Sequence, residues 1–550
     1  MCSTICTFCK ILSFLFTKGN FLYIITSKLN ILRKAKKIQM TEKKLKIISY
    51  LYLITPIIIF VIGWTKPIFS IPITICLIII LKLLHNQVKN ETENIIEFKK
   101  IIPIFIIILL ICITSGHGGL FYQSSDWDAR NAIFRDLVQQ DWPVYYEKSN
   151  SALTYYIGQW MVPSVFGKIV IVIANVISSI VPNIFTSIMK KLSLEFAFQV
   201  GNIVLLLWNS FGVLIAILWI IKILKLEKKK DIYLAIFVFL FFSGLDVVGM
   251  SIFGTFNVFL RRIHLEWWGI TYQYSSMITQ LFWVFNQSIP VWIITLMFFE
   301  EKKVNNYMLL ILLALPFSPL PFIGLVILFA CNGIRFLIES IKNRKIVSFI
   351  KYIFSIQNIL AFISILPLYG CFYFGNSSAV GSTDGGGFSL MTDLLTPFEL
   401  FKLLIFWFIE VGIYGIFLIK TQKKNSLFYI IMIALFVIPL FQLGYEYDFS
   451  MRVSIPLLLV IDIWIVQKYL EEKNKKGVTL TFIFLTLVLC IGLVTPLCEY
   501  ARAIYRINEA GKINYVCDIT KTYTKLDEVA SNFVTENPKE NSIFFKYIAK

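Results

Sequence analysis

Apolar runs of roughly 16 to 25 residues follow one another from about residue 47 to residue 498, divided by short polar connectors. Each run is long enough for a helix to cross the hydrocarbon core of a bilayer. The pattern predicts spans at 47–64, 67–84, 101–116, 199–224, 231–250, 276–299, 353–375, 399–420, 427–444, 453–468 and 478–498. Residues 307–338 hold PFSPLP at 316–321. Three prolines in six residues cannot sit in one straight helix, so two short helices meeting at a turn are expected there. The segment 152–196 is apolar but interrupted by Pro163, Gly167, Lys168, Pro182, Lys190 and Lys191. Helices lying along or dipping into the outer interface are expected for it, with a two-helix hairpin as the rival. The fold class is therefore all-α: a polytopic transmembrane helical bundle of about 11–13 spans.

Composition agrees, with 57% hydrophobic and 15% charged residues in 550. The net charge of +19 invites a nucleic-acid reading, and its distribution excludes one. Residues 1–46 carry ten Lys/Arg and one acid, Glu42, and the other bases crowd into connectors such as KLEKKKD (225–231), IKNRK (341–345) and KTQKKN (420–425). That is the bias of cytoplasmic loops, and a basic arm also attracts anionic lipid. With basic connectors inside, the loops 117–196, 251–275, 375–398 and 445–452 fall outside. The chain then divides into a basic arm (1–46), a membrane domain (47–498) and an extracytoplasmic tail (499–550) with eight bases and seven acids. Met40, directly before TEKKLK, is an alternative start. The C-x3-C-x2-C spacing of Cys2, Cys6 and Cys9 has no catalytic domain behind it to use a cluster, and Cys498 and Cys517 would pair only if both lie outside. Heavy use of Ile, Lys, Asn and Phe suggests an AT-rich genome and a bacterial cytoplasmic membrane.

The outer loops hold the chemistry. Asp126 and Asp128 follow the third span closely and would serve as a general base or hold a divalent cation, Mg or Mn. Arg130 and Arg135 stand beside them and suit a phosphate. Ser125 to Asp128 also has capping spacing, so Ser125 is expected to cap a helix through Gln140 whose apolar face is Ile133, Phe134, Leu137 and Val138. Tyr145, Tyr146, Tyr155, Tyr156 and Trp160 read as interfacial anchors or as a surface for sugar or lipid. Lys168 either snorkels or meets a lipid phosphate. In the second loop Arg261 and Arg262 need an anionic partner, and His264 and Glu266 lie two residues on. Asn286 and Gln287 follow, as interhelical hydrogen-bond partners or substrate contacts. In the third, Asp448 and Arg452 are four apart and can pair on one helix face. Glu410, Asp462 and Asp246 lie in or near spans; Asp246 falls near the outer surface, and Glu410 and Asp462 raise the possibility of ion coupling. No P-loop, G-x-S-x-G or HExxH occurs, which argues against ATP-driven work and these hydrolase classes.

An acidic motif in the first large outer loop, many spans and a non-membrane C-terminal tail resemble the GT-C class of integral membrane glycosyltransferases. More closely, SSDWDARNAIFRDLVQQDWPVYY, LTYYIGQWMVPSVFGK, YSSMITQLFWVFNQSIPVW, YDFSMRVSIP and the ending SIFFKYIAK are similar to a group of bacterial multi-pass proteins related to that class. The resemblance covers most of residues 101–550. It implies an outward-facing site, a polyprenyl-phosphate-linked sugar donor and an envelope glycan, lipid or protein as acceptor. It gives Asp126 or Asp128 the role of base, sometimes with a metal, and makes Arg261, Arg262 or Arg452 candidates for the leaving phosphate. In the related pattern a Lys or His often stands at the position of Arg130, beside Asn131. The motif here follows the third span and not the first, another departure. A transporter or flippase, or a noncatalytic envelope-assembly protein, is the alternative.

Overall fold

The computed structural model describes residues 39–89, 93–180, 187–253, 264–269, 271–376, 389–391, 396–443, 448–509 and 533–550. Arg261, Arg262, the amino-terminal cysteines and Cys517 lie outside these residues. The chain is an all-α polytopic assembly with three small two- or three-stranded sheets at its edges. Among the described residues eight helices are long and apolar enough to cross a membrane: Glu42–Trp64, Pro67–Gln87, Gly158–Ser179, Ser193–Ile223, Pro319–Lys342, Ile346–Tyr373, Pro397–Gln422 and Leu480–Tyr505.

Several expected spans are broken instead. The run 231–250 becomes Lys229–Leu240 and Asp246–Phe253, separated by an unwound turn at 241–245. The run 276–299 becomes Met277–Trp283 and Phe285–Glu300. Both breaks are buried, so protein rather than lipid covers the irregular backbone. The PFSPLP segment breaks the chain as expected, between Tyr307–Leu312 and Pro319–Lys342. The second of these is 24 residues long, not short.

The preferred expectation for 152–196 is corrected. Gly158–Ile180 is one helix of 23 residues packed along Ser187–Ile223. The two are antiparallel: Gln159 bonds Asn209, while Gly167 lies beside Ala197. Gly167, one of the residues that suggested interruption, is a contact. A Cβ on Gly167 would sit 2.8 Å from Val138, and one on Gly201 would sit 2.8 Å from Phe134. Glycine lets helix Asp126–Gln139 press directly on the hairpin. Tyr52 stacks on Trp208 at 4.3 Å. Counted from there at 1.5 Å per residue, the hairpin extends about 14 Å beyond Trp64.

At the lysine-bearing end, Lys222 joins three helices through Glu42, at 2.8 Å, and Glu300. At the opposite end the carboxyl-terminal segment closes the structure. Val534–Glu536 adds to Ser151–Leu153, which pairs with Tyr145–Tyr146. Thr65 bridges Ala549, and Lys550 N–H donates to Trp64 O at 3.0 Å. Between these, buried Phe544 packs against Phe60 and Phe372, with ring centres 5.8 and 5.0 Å away. Phe544→Ala is expected to cost about 3–5 kcal/mol through the cavity it leaves. The check is the thermal unfolding midpoint of purified protein in detergent. A midpoint unchanged from the parent would show that the segment is merely laid on.

Candidate functional site

Helix Asp126–Gln139 forms as expected, and Ile133, Phe134, Leu137 and Val138 are fully buried. Its start is different. Ser125 stands at the N-cap with no side-chain capping bond, which corrects the expected cap. The first turn is instead fastened by Asp126, which accepts from the Arg130 guanidinium at 3.1 Å. The Asp126 side chain is 43% exposed and that of Arg130 only 4%. Arg130 lies 6.0 Å from the Trp127 ring and 5.8 Å from the Phe285 ring, within range of cation–π attraction. Those rings stack on each other at 4.8 Å, and the Trp127 indole N–H donates to Phe282 O at 3.1 Å. Asp126 is thus an accessible carboxylate aimed by a buried cation. Asp128 and Arg135, seven residues apart, occupy the helix's outward stripe. Partial burial raises the Asp128 carboxyl above its ordinary range. Asn131 donates to Gln123 at 2.8 Å.

Beneath the first turn lies a buried polar chain. Gln159 donates to Tyr52 and Asn209, and Asn209 donates to His117 Nδ1 at 3.2 Å. His117 Nε2 donates to Leu281 O at 2.9 Å, which fixes the neutral ring. Burial pushes this imidazole down to about 4. An uncharged His117 spares Arg130 a second cation.

Next to Arg130 come Tyr155 and Tyr156, whose rings lie 3.7 Å apart. Burial raises both hydroxyls, and the charges of Arg130 and Arg452 both oppose that rise. Two cations far apart in sequence therefore act on one tyrosine pair. Gln287 donates to the Tyr156 hydroxyl at 3.1 Å and accepts from Ser318 at 3.1 Å. The proline break at 313–318 places that serine, and Gly158 N–H bonds Pro316 O at 2.9 Å. Arg452 pairs with Asp448 one turn away, as expected. Burial would lower the Arg452 guanidinium, but Asp448 and Tyr156 outweigh it, so it stays charged. Asn286 is fully buried, and neither side-chain atom has a partner among the described residues. The structure thus gathers Arg130, Gln287, Asp448 and Arg452 around the tyrosines, with Asp126 bound to Arg130.

His264 and Glu266 are elsewhere. His264 Nδ1 lies 2.5 Å from Glu499 and its Nε2 lies 3.3 Å from Glu266. Glu499 also accepts from Trp283 at 3.0 Å and pairs with Arg502. Glu266 accepts from Gln273 and from the Ser276 amide, both at 2.9 Å. All of these contacts are internal, so the pair holds the second outer loop to helix Val494–Tyr505. Lys168 likewise turns to protein: it bonds Gln140 O and lies 5.0 Å from the Trp142 ring.

A second acidic group sits in the membrane domain. The Trp268 indole N–H lies 3.1 Å from Asp246 and 3.2 Å from Glu410. Glu410 occupies a π-turn at Phe408–Gly412, and Asp246 begins the helix after the unwound turn. Asp462 is fully buried with both oxygens unpartnered among the described residues.

A divalent cation does not fit at Asp126 and Asp128. Two residues apart on a helix, their side chains diverge, and Asp126 is already held by Arg130. Among the described residues no group of three His, Cys, Asp or Glu is placed to hold a metal.

Compared with known protein families, curated proteins and solved structures, the chain matches none.

Sequence patterning missed four residues. Phe285 and Ser318 are apolar or small residues in apolar runs, with no local signal. Glu499 and Arg502 carried one, an acid and a base three apart at the end of an apolar run, where charge needs a partner.

Proposed function

We propose that this chain is a GT-C-like membrane glycosyltransferase of the bacterial cell envelope. It would move a sugar from a polyprenyl-phosphate carrier to an acceptor hydroxyl at the outer face. The observation that carries this reading is the meeting of the first and third outer loops. Arg130, beside the accessible carboxylate of Asp126, and Arg452 both face Tyr155 and Tyr156.

The chemistry follows from those residues. Asp126 takes the proton of the acceptor hydroxyl as its oxygen attacks the anomeric carbon. The bond from that carbon to the phosphate oxygen breaks, and the electron pair leaves on the phosphate. Arg452, held by Asp448, stabilises that developing charge, with Arg130 behind it. The tyrosines give the sugar an aromatic surface, while Asn286 and Gln287 supply amides for its hydroxyls. Asp128, Asn131 and Arg135 are further candidates for substrate contact, and Arg261 and Arg262 for the phosphate. The donor's lipid keeps the reaction at the membrane surface.

Deletion of the gene should cause one polyprenyl-phosphate sugar to accumulate in lipid extracts. Protein in proteoliposomes should consume that extract and release polyprenyl phosphate. Arg452→Gln should lower kcat/KM about 10²-fold. An unchanged lipid profile together with no consumption would remove the proposal.

A second reading, proton-coupled transport of a lipid-linked substrate, has one observation in its favour. Asp246 and Glu410 are in side-chain contact and share the Trp268 donor. Two carboxyls so placed are candidates to carry the coupled proton under that reading. Under that reading Asp246→Asn abolishes substrate movement across proteoliposomes and Asp126→Asn does not.

A further inference from the structure

The lysine-bearing end of the bundle has a small pocket between the first turns of helices Phe98–Thr114 and Lys229–Leu240. Three lysines, Lys99, Lys100 and Lys229, line it. Pro103, Ile104 and Ile232 make the rest apolar, with Tyr233 beside them. Two carboxylates lie close by: Glu97 pairs with Lys99 at 2.7 Å, and Asp231, in the first turn of the second helix, is taken up by Lys473 at 2.6 Å. The hydrogen bond from Lys99 lowers the Glu97 carboxyl, and the charges of Lys99, Lys100 and Lys229 add to it. All three ammonium groups therefore act on one small region. Lys100 otherwise reaches only as far as Glu227 O, at 3.5 Å.

Two further features point to an anion. Both helices begin here, and neither has a side-chain cap: Glu97 and Lys228 stand at the N-caps without a capping bond. First-turn amides and two helix dipoles add positive potential to that of the lysines. Above the pocket each helix presents an apolar track. Ile102, Ile106 and Leu110 are exposed on one, and Tyr233 and Phe237 on the other. A soluble anion has no use for such a track. A phospholipid has, because its phosphate sits at the helix ends and its chains run along the helices.

We propose that this pocket binds the phosphate of an anionic glycerophospholipid, whose acyl chains lie along Ile102, Ile106 and Leu110 and against Tyr233 and Phe237. The site is at the opposite end of the third span from Asp126 and is independent of the transferase reading. Bound there, the lipid ties helix Phe98–Thr114, which leads into the first outer loop, to the helix that precedes Asp246. Basic pockets between membrane helices are suited to anionic headgroups.

The test is native mass spectrometry of the full chain in detergent, with phosphatidylglycerol and phosphatidylcholine of equal chain length added together. Phosphatidylglycerol adducts should predominate. Lys99→Gln/Lys100→Gln/Lys229→Gln should reduce them about tenfold or more. Lys420→Gln/Lys423→Gln/Lys424→Gln, which changes as many lysines in another connector, should keep them. Glycerol 3-phosphate, which has the phosphate and no chains, should not compete. Retention by the first triple variant within about twofold, equal loss in the second, or competition by glycerol 3-phosphate would each overturn the proposal. Should the first triple variant fail to fold, the three single variants are read in the same way, and each should lose about two- to threefold.

Discussion

Asp126→Asn is expected to lower sugar transfer by about 10²- to 10⁴-fold without unfolding the protein. The expectation rests on the different positions of two neighbouring acids. Asp126 lies on the edge of its helix that turns to the bundle and is oriented by the buried Arg130. Asp128 is exposed, and the cations that act on the tyrosine pair are Arg130 and Arg452. Asparagine keeps an oxygen to accept from Arg130, so the cation stays hydrogen-bonded, but it cannot take a proton. Asp128→Asn should therefore stay within about threefold of the parent, less than loss of a general base produces. Transfer from the accumulated lipid-linked donor measures activity, and the unfolding midpoint measures integrity. If Asp126→Asn keeps half the parent's turnover, Asp126 is not the base. If Asp128→Asn shows the large loss instead, the roles are exchanged.

Much of this arrangement could be read from the chain. The helix at Asp126–Gln139 was legible because its apolar residues recur with helical period, and the Asp448–Arg452 pair because four residues make one turn. The proline break at PFSPLP was legible as a break, though not its consequence, which is Ser318 bonding Gln287. The hairpin Gly158–Ile180 and Ser187–Ile223 was misjudged for a physical reason. Pro163 and Gly167 were weighed as helix breakers, yet membrane helices tolerate both, and here glycine admits Val138. The convergence on Tyr155 and Tyr156 was not legible at all. It joins residues near 130, 287, 318 and 452, and no local pattern encodes which loops meet. The same limit hid the partner of His264, which lies 235 residues away.

That distant partner gives the second large effect. Glu499→Gln should destabilise the protein by about 3–5 kcal/mol, because it takes a charge partner from two buried cations at once and leaves His264 only Glu266. His264 and Arg502 both lean on Glu499, and Trp283 donates to the same carboxylate. Burial alone would lower the His264 imidazole. The charges of Glu499 and Glu266 outweigh burial and raise it to about 10. A histidine raised on folding stabilises fully below its unfolded value, near 6.5, and that contribution is lost as pH climbs through about 10. The parent should therefore lose unfolding temperature between neutral pH and pH 10, and Glu499→Gln should lose much less over the same interval. His264→Gln combined with Glu499→Gln should cost less than the sum of the two, since each breaks the same contact. Equal alkaline losses in parent and Glu499→Gln would mean that His264 is not the group that titrates. Retention of the parent's midpoint by Glu499→Gln at neutral pH would mean that the second outer loop is held by its aromatic packing, with Trp283 5.4 Å from the His264 ring, and not by charge.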